Sequence, residues 1–185
     1  MIMRTALPRT VARRLRLAIA AGVVLAAGCG VGRTIFDVDV YSFLQDAGSD
    51  SVPYIAPSPF DTIPPQLVNL LPIGLGSSVV ESVTVSGTVD FVNQLGSGTV
   101  GLELYIDTVA DVYAGPPAFA VTPVAVTPGN TSTTPFQGEV AALARQLFLS
   151  DKVYVGMRAV GSGTAVGTAR LSALRLRIVI QDQIF

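Results

Sequence analysis

The stretch Val79-Val80-Glu81-Ser82-Val83-Thr84-Val85-Ser86-Gly87-Thr88-Val89-Asp90-Phe91-Val92 decides the fold class of this 185-residue chain. Val83, Val85, Val89 and Phe91 share one side of an extended backbone, and Ser82, Thr84, Ser86, Thr88 and Asp90 share the other. Successive side chains of a strand point to opposite faces, so a period of two marks a half-buried strand. A turn-like break at 93–98 contains Gly96-Ser97-Gly98. Val100, Leu102, Leu104 and Ile106 then repeat the apolar face opposite Glu103, Tyr105 and Asp107. The two runs read as a hairpin with its tip near Gly96.

The same pattern extends outward in both directions. In residues 35–43, Phe36, Val38 and Val40 alternate with Asp37, Asp39 and Tyr41. The segment 48–72 holds Pro53, Pro57, Pro59, Pro64, Pro65 and Pro72, and proline gives a ladder no donor, so this is a loop or an edge segment. Residues 118–126, broken by Pro123, read as an edge strand. Thr134-Pro135-Phe136-Gln137 has the form of a helix start, a Thr cap followed by Pro and then Gln, and Val140, Leu143, Ala144 and Leu147 follow at helical spacing. One short helix is therefore expected near 135–149. A second hairpin is expected from Val153, Val155 and Met157 through Gly161-Ser162-Gly163 to Leu174, Leu176, Ile178 and Ile180. Leu171 is out of phase with that last run, which predicts a bulge near Ser172. Many strands, one helix and one Pro-rich connection give an all-β fold, an antiparallel β-sandwich.

The first 29 residues follow a different logic. Arg4, Arg9, Arg13, Arg14 and Arg16 precede an uncharged run of 12 residues, 17–28, and then Cys29. As a helix that run spans about 18 Å, too short for a bilayer core of about 30 Å. Basic residues, an apolar run and small residues at the cut are the parts of a signal peptide. Leu25-Ala26-Ala27-Gly28-Cys29 resembles the lipobox of bacterial lipoproteins. The resemblance covers residues 1–29. It implies removal of a signal peptide, 1–28, and lipid attachment at Cys29, with 29–34 as a short tether and 35–185 as a single domain. Ala26 stands where the family favours a larger aliphatic residue, with Leu25 one place early, so a cut by an ordinary signal peptidase is the competing reading. By the same resemblance, Gly30 in place of Asp after the cysteine implies the outer membrane, with the domain in the periplasm or at the surface. The partners it implies are the membrane, through Cys29, and the machinery that processes and sorts lipoproteins.

Removing the leader changes the charge balance. Five of the 12 basic residues lie in it, which leaves seven against 13 acidic residues, a net charge of −6 from Cys29 onward. Phosphate binding needs clustered cations, so nucleic acid is not an expected partner. With one cysteine, a disulfide within the domain is excluded, and its stability must come from burial.

Catalytic classes are narrowed by the residues the chain lacks. It has no histidine, which excludes a Ser-His-Asp triad and histidine metal sites. Lys152 is the single lysine, and Ser150-Asp151-Lys152 reads as a helix-to-strand turn. Asp37 and Asp39 are two apart on a strand, hence on one face about 7 Å apart, a glycosidase-like spacing that is far commoner on a solvated strand. Asp107 and Asp111 lack the spacing of a calcium loop. Gly161-Ser162-Gly163 with Gly167 does not fit the dinucleotide fingerprint.

Two surface features remain. Arg175 and Arg177 share a strand face with Arg170 and Arg158 nearby, either meeting an anionic partner or pairing across strands with Glu103, Asp107 or another carboxylate. Tyr105 and Tyr154 on polar faces form either a sugar-stacking platform or a cover for neighbouring strands. No catalytic, cofactor-binding or metal-binding residue is assigned, and no cofactor is expected. The leading expectation is an envelope-anchored lipoprotein with a non-catalytic structural or protein-interaction domain. The alternative is a module that binds a glycan or a small apolar ligand, and a carboxylate hydrolase comes last.

Overall fold

In the computed structural model, which describes residues 32–57, 62–69 and 77–183, the alternating runs form two antiparallel sheets. The elements in chain order are β1 (Gly32–Asp39), α1 (Val40–Asp46), β2 (Ser51–Ile55), β3 (Gln66–Asn69), β4 (Ser77–Leu95), β5 (Gly98–Asp107), a 3-10 turn (Val112–Ala114), β6 (Phe119–Val126), β7 (Thr131–Glu139), α2 (Ala142–Arg145), a second 3-10 turn (Gln146–Leu149), β8 (Lys152–Gly163) and β9 (Val166–Gln183). The five-stranded sheet runs β1-β9-β4-β7, with β2 also paired to β9 beyond β1. The four-stranded sheet runs β3-β8-β5-β6. This is the expected all-β sandwich.

The connectivity differs from the expected hairpins. β4 pairs with β9 and β7, and β5 pairs with β8 and β6, so the turn at Gly96 carries the chain from one sheet to the other. The turn at Gly163 does the same between β8 and β9. Each predicted hairpin is thus an arch across the core. The two arches lie against each other: the Thr164 N–H donates to the Ser97 carbonyl at 2.9 Å, and Gly98 is opposite Gly163. Gly96 and Gly163 have φ of 66° and 85°, and a Cβ on Gly96 would stand 1.8 Å from the Thr164 carbonyl oxygen. Only glycine fits both the left-handed backbone and the close approach. Four pairs of strands consecutive in sequence thus divide between the sheets: β2 and β3, β4 and β5, β6 and β7, and β8 and β9 each place one strand in either sheet.

The core follows the predicted phases. Val83, Val85, Val89 and Phe91 of β4, Val100, Leu102 and Leu104 of β5, Val153, Val155 and Met157 of β8, and Leu174, Leu176, Ile178 and Ile180 of β9 are all buried in one cluster. β9 changes phase at Ser172, where Thr88 pairs with Ala173 and Val89 with Leu171. That bulge keeps both Leu171 and Leu174 inside. A similar shift skips Glu81 between Val80 and Ser82.

The helical expectation needs correction. Thr134-Pro135-Phe136-Gln137 lies in β7, paired with Val89, Thr88, Gly87 and Ser86 of β4. Because β7 is an edge, Pro135 can turn its donor-free nitrogen outward, and the capping-box reading loses to strand pairing. Phe136 covers Gly87 and meets Phe119 of β6 with ring centroids 5.7 Å apart, closing that side between the sheets. Within the expected span α-helix forms only at α2, followed by the 3-10 turn Gln146–Leu149, and Leu143 is 87% exposed, not core-facing. A second helix, α1, replaces the end of the strand expected at 35–43, and its Val40 and Leu44 are buried. The described part of the Pro-rich segment supplies β2 and β3, each pairing on one side only.

Candidate functional site

The outer face of the five-stranded sheet brings together the charges singled out in the sequence. Asp37 of β1 lies opposite Arg177 of β9, which lies opposite Thr84 of β4, itself opposite Glu139 of β7. The next row on this face is Asp39, Arg175, Ser86 and Gln137. Asp37, Val38, Asp39 and Arg175 line an open depression of about 440 Å³. Among the described residues no carboxylate oxygen lies within 4.0 Å of the Arg175 or Arg177 guanidinium. Asp39 instead accepts the Ser42 hydroxyl at 2.8 Å. Donors, acceptors and both signs of charge therefore stand side by side on an exposed, twisted strand surface. Such a surface suits a polar partner that exchanges hydrogen bonds.

The other two arginines of the predicted stripe are paired. Arg170 is 3.5 Å from Asp50. Arg158, on the outer face of the four-stranded sheet, donates from Nε and Nη2 to Glu103 Oε2 at 2.9 and 2.7 Å, across the β5–β8 pair. The same oxygen accepts the Tyr105 hydroxyl at 2.7 Å, and the guanidinium stacks 4.8 Å from the Tyr105 ring centroid. Tyr113, on the first 3-10 turn, meets Tyr105 edge-on at 5.1 Å, and its hydroxyl donates to the Ile63 and Met157 carbonyls at 2.6 and 3.1 Å. Its approach requires Gly156, where a Cβ would stand 2.7 Å from the Tyr113 hydroxyl. Tyr105 is 1% exposed, so it belongs to a covered cluster and not to an open sugar platform. Burial, reinforced by the hydrogen bond to the Glu103 carboxylate, pushes the Tyr105 phenol well above its ordinary value of 10, and burial also raises Tyr113.

The remaining candidates separate. Cys29 lies outside the described residues. Asp107 caps a turn, its Oδ1 accepting the Thr108 and Val109 N–H groups at 2.6 and 3.3 Å, and Asp111 precedes the first 3-10 turn. Ser150 and Lys152 flank the entry to β8, as a helix-to-strand turn requires. Gly161-Ser162-Gly163 ends β8 and leads into the arch. Among the described residues no group of three or more Asp, Glu, Cys or His is placed to hold a metal ion.

Sequence reading missed Asn93, which is 1% exposed and organises the arched end. Its Nδ2 donates to the Gly96 carbonyl at 2.7 Å and its Oδ1 accepts the Tyr54 hydroxyl at 3.3 Å. Its backbone bonds Asn130 and Gly129 of the β6–β7 turn, each at 2.9 Å. The available signal was a lone amide in phase with the buried Val89 and Phe91.

No family model matches the chain, and no curated protein matches it. Among solved structures it is similar to a chain of the infectious bursal disease virus Gt strain, with a TM-score of 0.42 and 13% identity over 83% of this chain and 37% of that one. A chain of the T13 particle of the same virus gives 0.41 and 11%, over 82% of this chain and 36% of that one. The xylan-binding module CBM15 gives 0.38 and 10%, over 80% of this chain and 97% of that one. The chain spans little more than a third of the viral chains it matches. At these scores and identities the likenesses carry no functional reading.

Proposed function

We propose that this chain is a bacterial envelope lipoprotein, anchored by lipid on Cys29 at the outer membrane, whose β-sandwich is a non-catalytic interaction domain. The observation that carries the reading is the order of the leader: five arginines, an uncharged run of 12 residues, and Leu25-Ala26-Ala27-Gly28-Cys29. Each buried methylene of an acyl chain contributes about 0.8 kcal/mol, so two or more chains hold the domain at the bilayer without a spanning segment. No described helix is long and apolar enough to cross a membrane. The interaction surface is the outer face of the five-stranded sheet around Arg175 and Arg177, and its partner is an envelope protein.

Metabolic labelling with a radioactive fatty acid tests the anchor. The wild-type chain takes up label and Cys29→Ala does not; equal labelling of the two overturns the reading.

A second reading, a module for a glycan or small apolar ligand, draws on the depression beside Asp37, Asp39 and Arg175, where hydroxyl-rich ligands would find donors and acceptors together. Titration calorimetry with envelope glycans separates the two. Binding lost in Arg175→Ala favours the module, and crosslinking of Arg175-proximal residues to an envelope protein favours the interaction domain.

A further inference from the structure

The outer face of the five-stranded sheet carries an apolar patch at the end where β1 begins. Ile35 of β1 is 51% exposed and lies directly opposite Val179 of β9. Val79 of β4 is 44% exposed and lies opposite Gln181, the next outward residue of β9. Arg33 is also opposite Gln181, and its guanidinium reaches across β9 to pair with Glu81. The β4 bulge at Glu81 turns that carboxylate to the outer face, so the charge that crosses the patch over β9 is matched.

Chain length decides what meets this patch. Three residue steps separate Cys29 from Gly32, a reach of at most about 10 Å, and three more lead to Ile35. The arched end is remote: β4 starts at Ser77, across β9 from the start of β1, and runs to Leu95, on the order of 60 Å at strand rise. Leu95, 65% exposed, marks that far end.

We infer that the Ile35–Val79–Val179 patch rests on the bilayer that holds the lipid of Cys29, fixing the end of the sandwich around Gly32 against the membrane and the arches away from it. The inference rests on the lipoprotein reading above. Attachment brings the patch to the interface whatever its own affinity, so a few aliphatic side chains suffice where they could not recruit the protein alone. The Arg33–Glu81 ion pair adds no net charge at the patch, while Arg177 and Arg175 follow farther along the same face.

The test uses the full chain, processed in a bacterium, purified from membranes and returned to phosphatidylcholine vesicles brominated near the carbonyl end of the acyl chains. Lipidation blocks the Cys29 sulfur, so Ile35→Cys, Val79→Cys or Leu95→Cys each supplies a single thiol for a bimane label. All three positions are exposed, where a substitution is expected to cost little stability. Bimane fluorescence at 35 and 79 falls about twofold in brominated vesicles relative to unbrominated ones, and fluorescence at 95 does not change. Anchored protein with no quenching at 35 and 79 overturns the contact while the anchor stands. A disulfide-linked dimer of the Ile35→Cys variant without quenching assigns the patch to a second copy and also overturns it. Protein that stays out of the vesicles, with Cys29 open to maleimide, overturns the contact through the anchor itself.

Discussion

At Glu103 one carboxylate oxygen accepts three donors, two from Arg158 and one from Tyr105. Removing the cation leaves a carboxylate that is only 19% exposed with a neutral partner alone. Breaking a fully buried pair costs about 3–5 kcal/mol, and partial exposure screens this one, so Arg158→Ala is expected to lose about 2 kcal/mol in urea denaturation. The tyrosines set an alkaline limit. Tyr105, Tyr113 and Tyr54 all hold their protons more tightly folded than unfolded, chiefly through burial. Their contribution is complete below pH of about 10 and falls as pH rises further, because the unfolded chain then releases protons that the folded one retains. Urea midpoints should be flat from about pH 7 to 9 and drop above 10, with a smaller drop in Tyr105→Phe. A midpoint unchanged to about pH 11 would contradict the burial of these rings. Asn93→Ala strips a partner from Gly96 and Tyr54 and is expected to cost about 3 kcal/mol by the same measurement.

Among the elements, what was legible and what was not have separate physical causes. Inward and outward faces were legible because burial enforces the period of two. The bulge at Ser172 was legible because Leu171 broke that period. Hairpin and arch were not distinguished, since both put the apolar faces of the two runs into one core, side by side on one sheet in the first case and on the two facing sheets in the second. Length was the unused signal. The long runs at 79–92 and 165–180 match each other, as do the short ones at 100–106 and 152–158, and matched lengths pair. The helix start at Thr134 failed because local capping chemistry was outweighed by a long partner strand with a free edge. Two substitutions test these elements. Gly129 and Gly96 both have positive φ, but only Gly96 is crowded, so Gly129→Ala should cost about 1 kcal/mol and Gly96→Ala at least 2 kcal/mol more. Equal costs would remove the stacked arches from the account. Pro135→Val should leave stability within about 0.5 kcal/mol while promoting self-association in sedimentation, because it restores an open donor to an edge strand.

For the whole molecule, the candidate site was legible in part. Arg175 and Arg177 were placed on one face by their spacing, and Asp37 and Asp39 likewise, but only the β1–β9 register brings the two pairs together. That register joins residues some 140 positions apart, a relation that no local pattern carries. The covered cluster at Tyr105 was hidden for the same reason, since Tyr113 reaches it through a turn with no periodicity. At this scale the proposed anchor is the central claim, because it would set where the domain works and which surface faces the bilayer. Intact-mass spectrometry of the protein extracted from bacterial membranes tests it most directly. The account predicts a mature chain that starts at Cys29 and carries a diacylglyceryl group on its sulfur; a chain that starts elsewhere, or an unmodified Cys29, would contradict it.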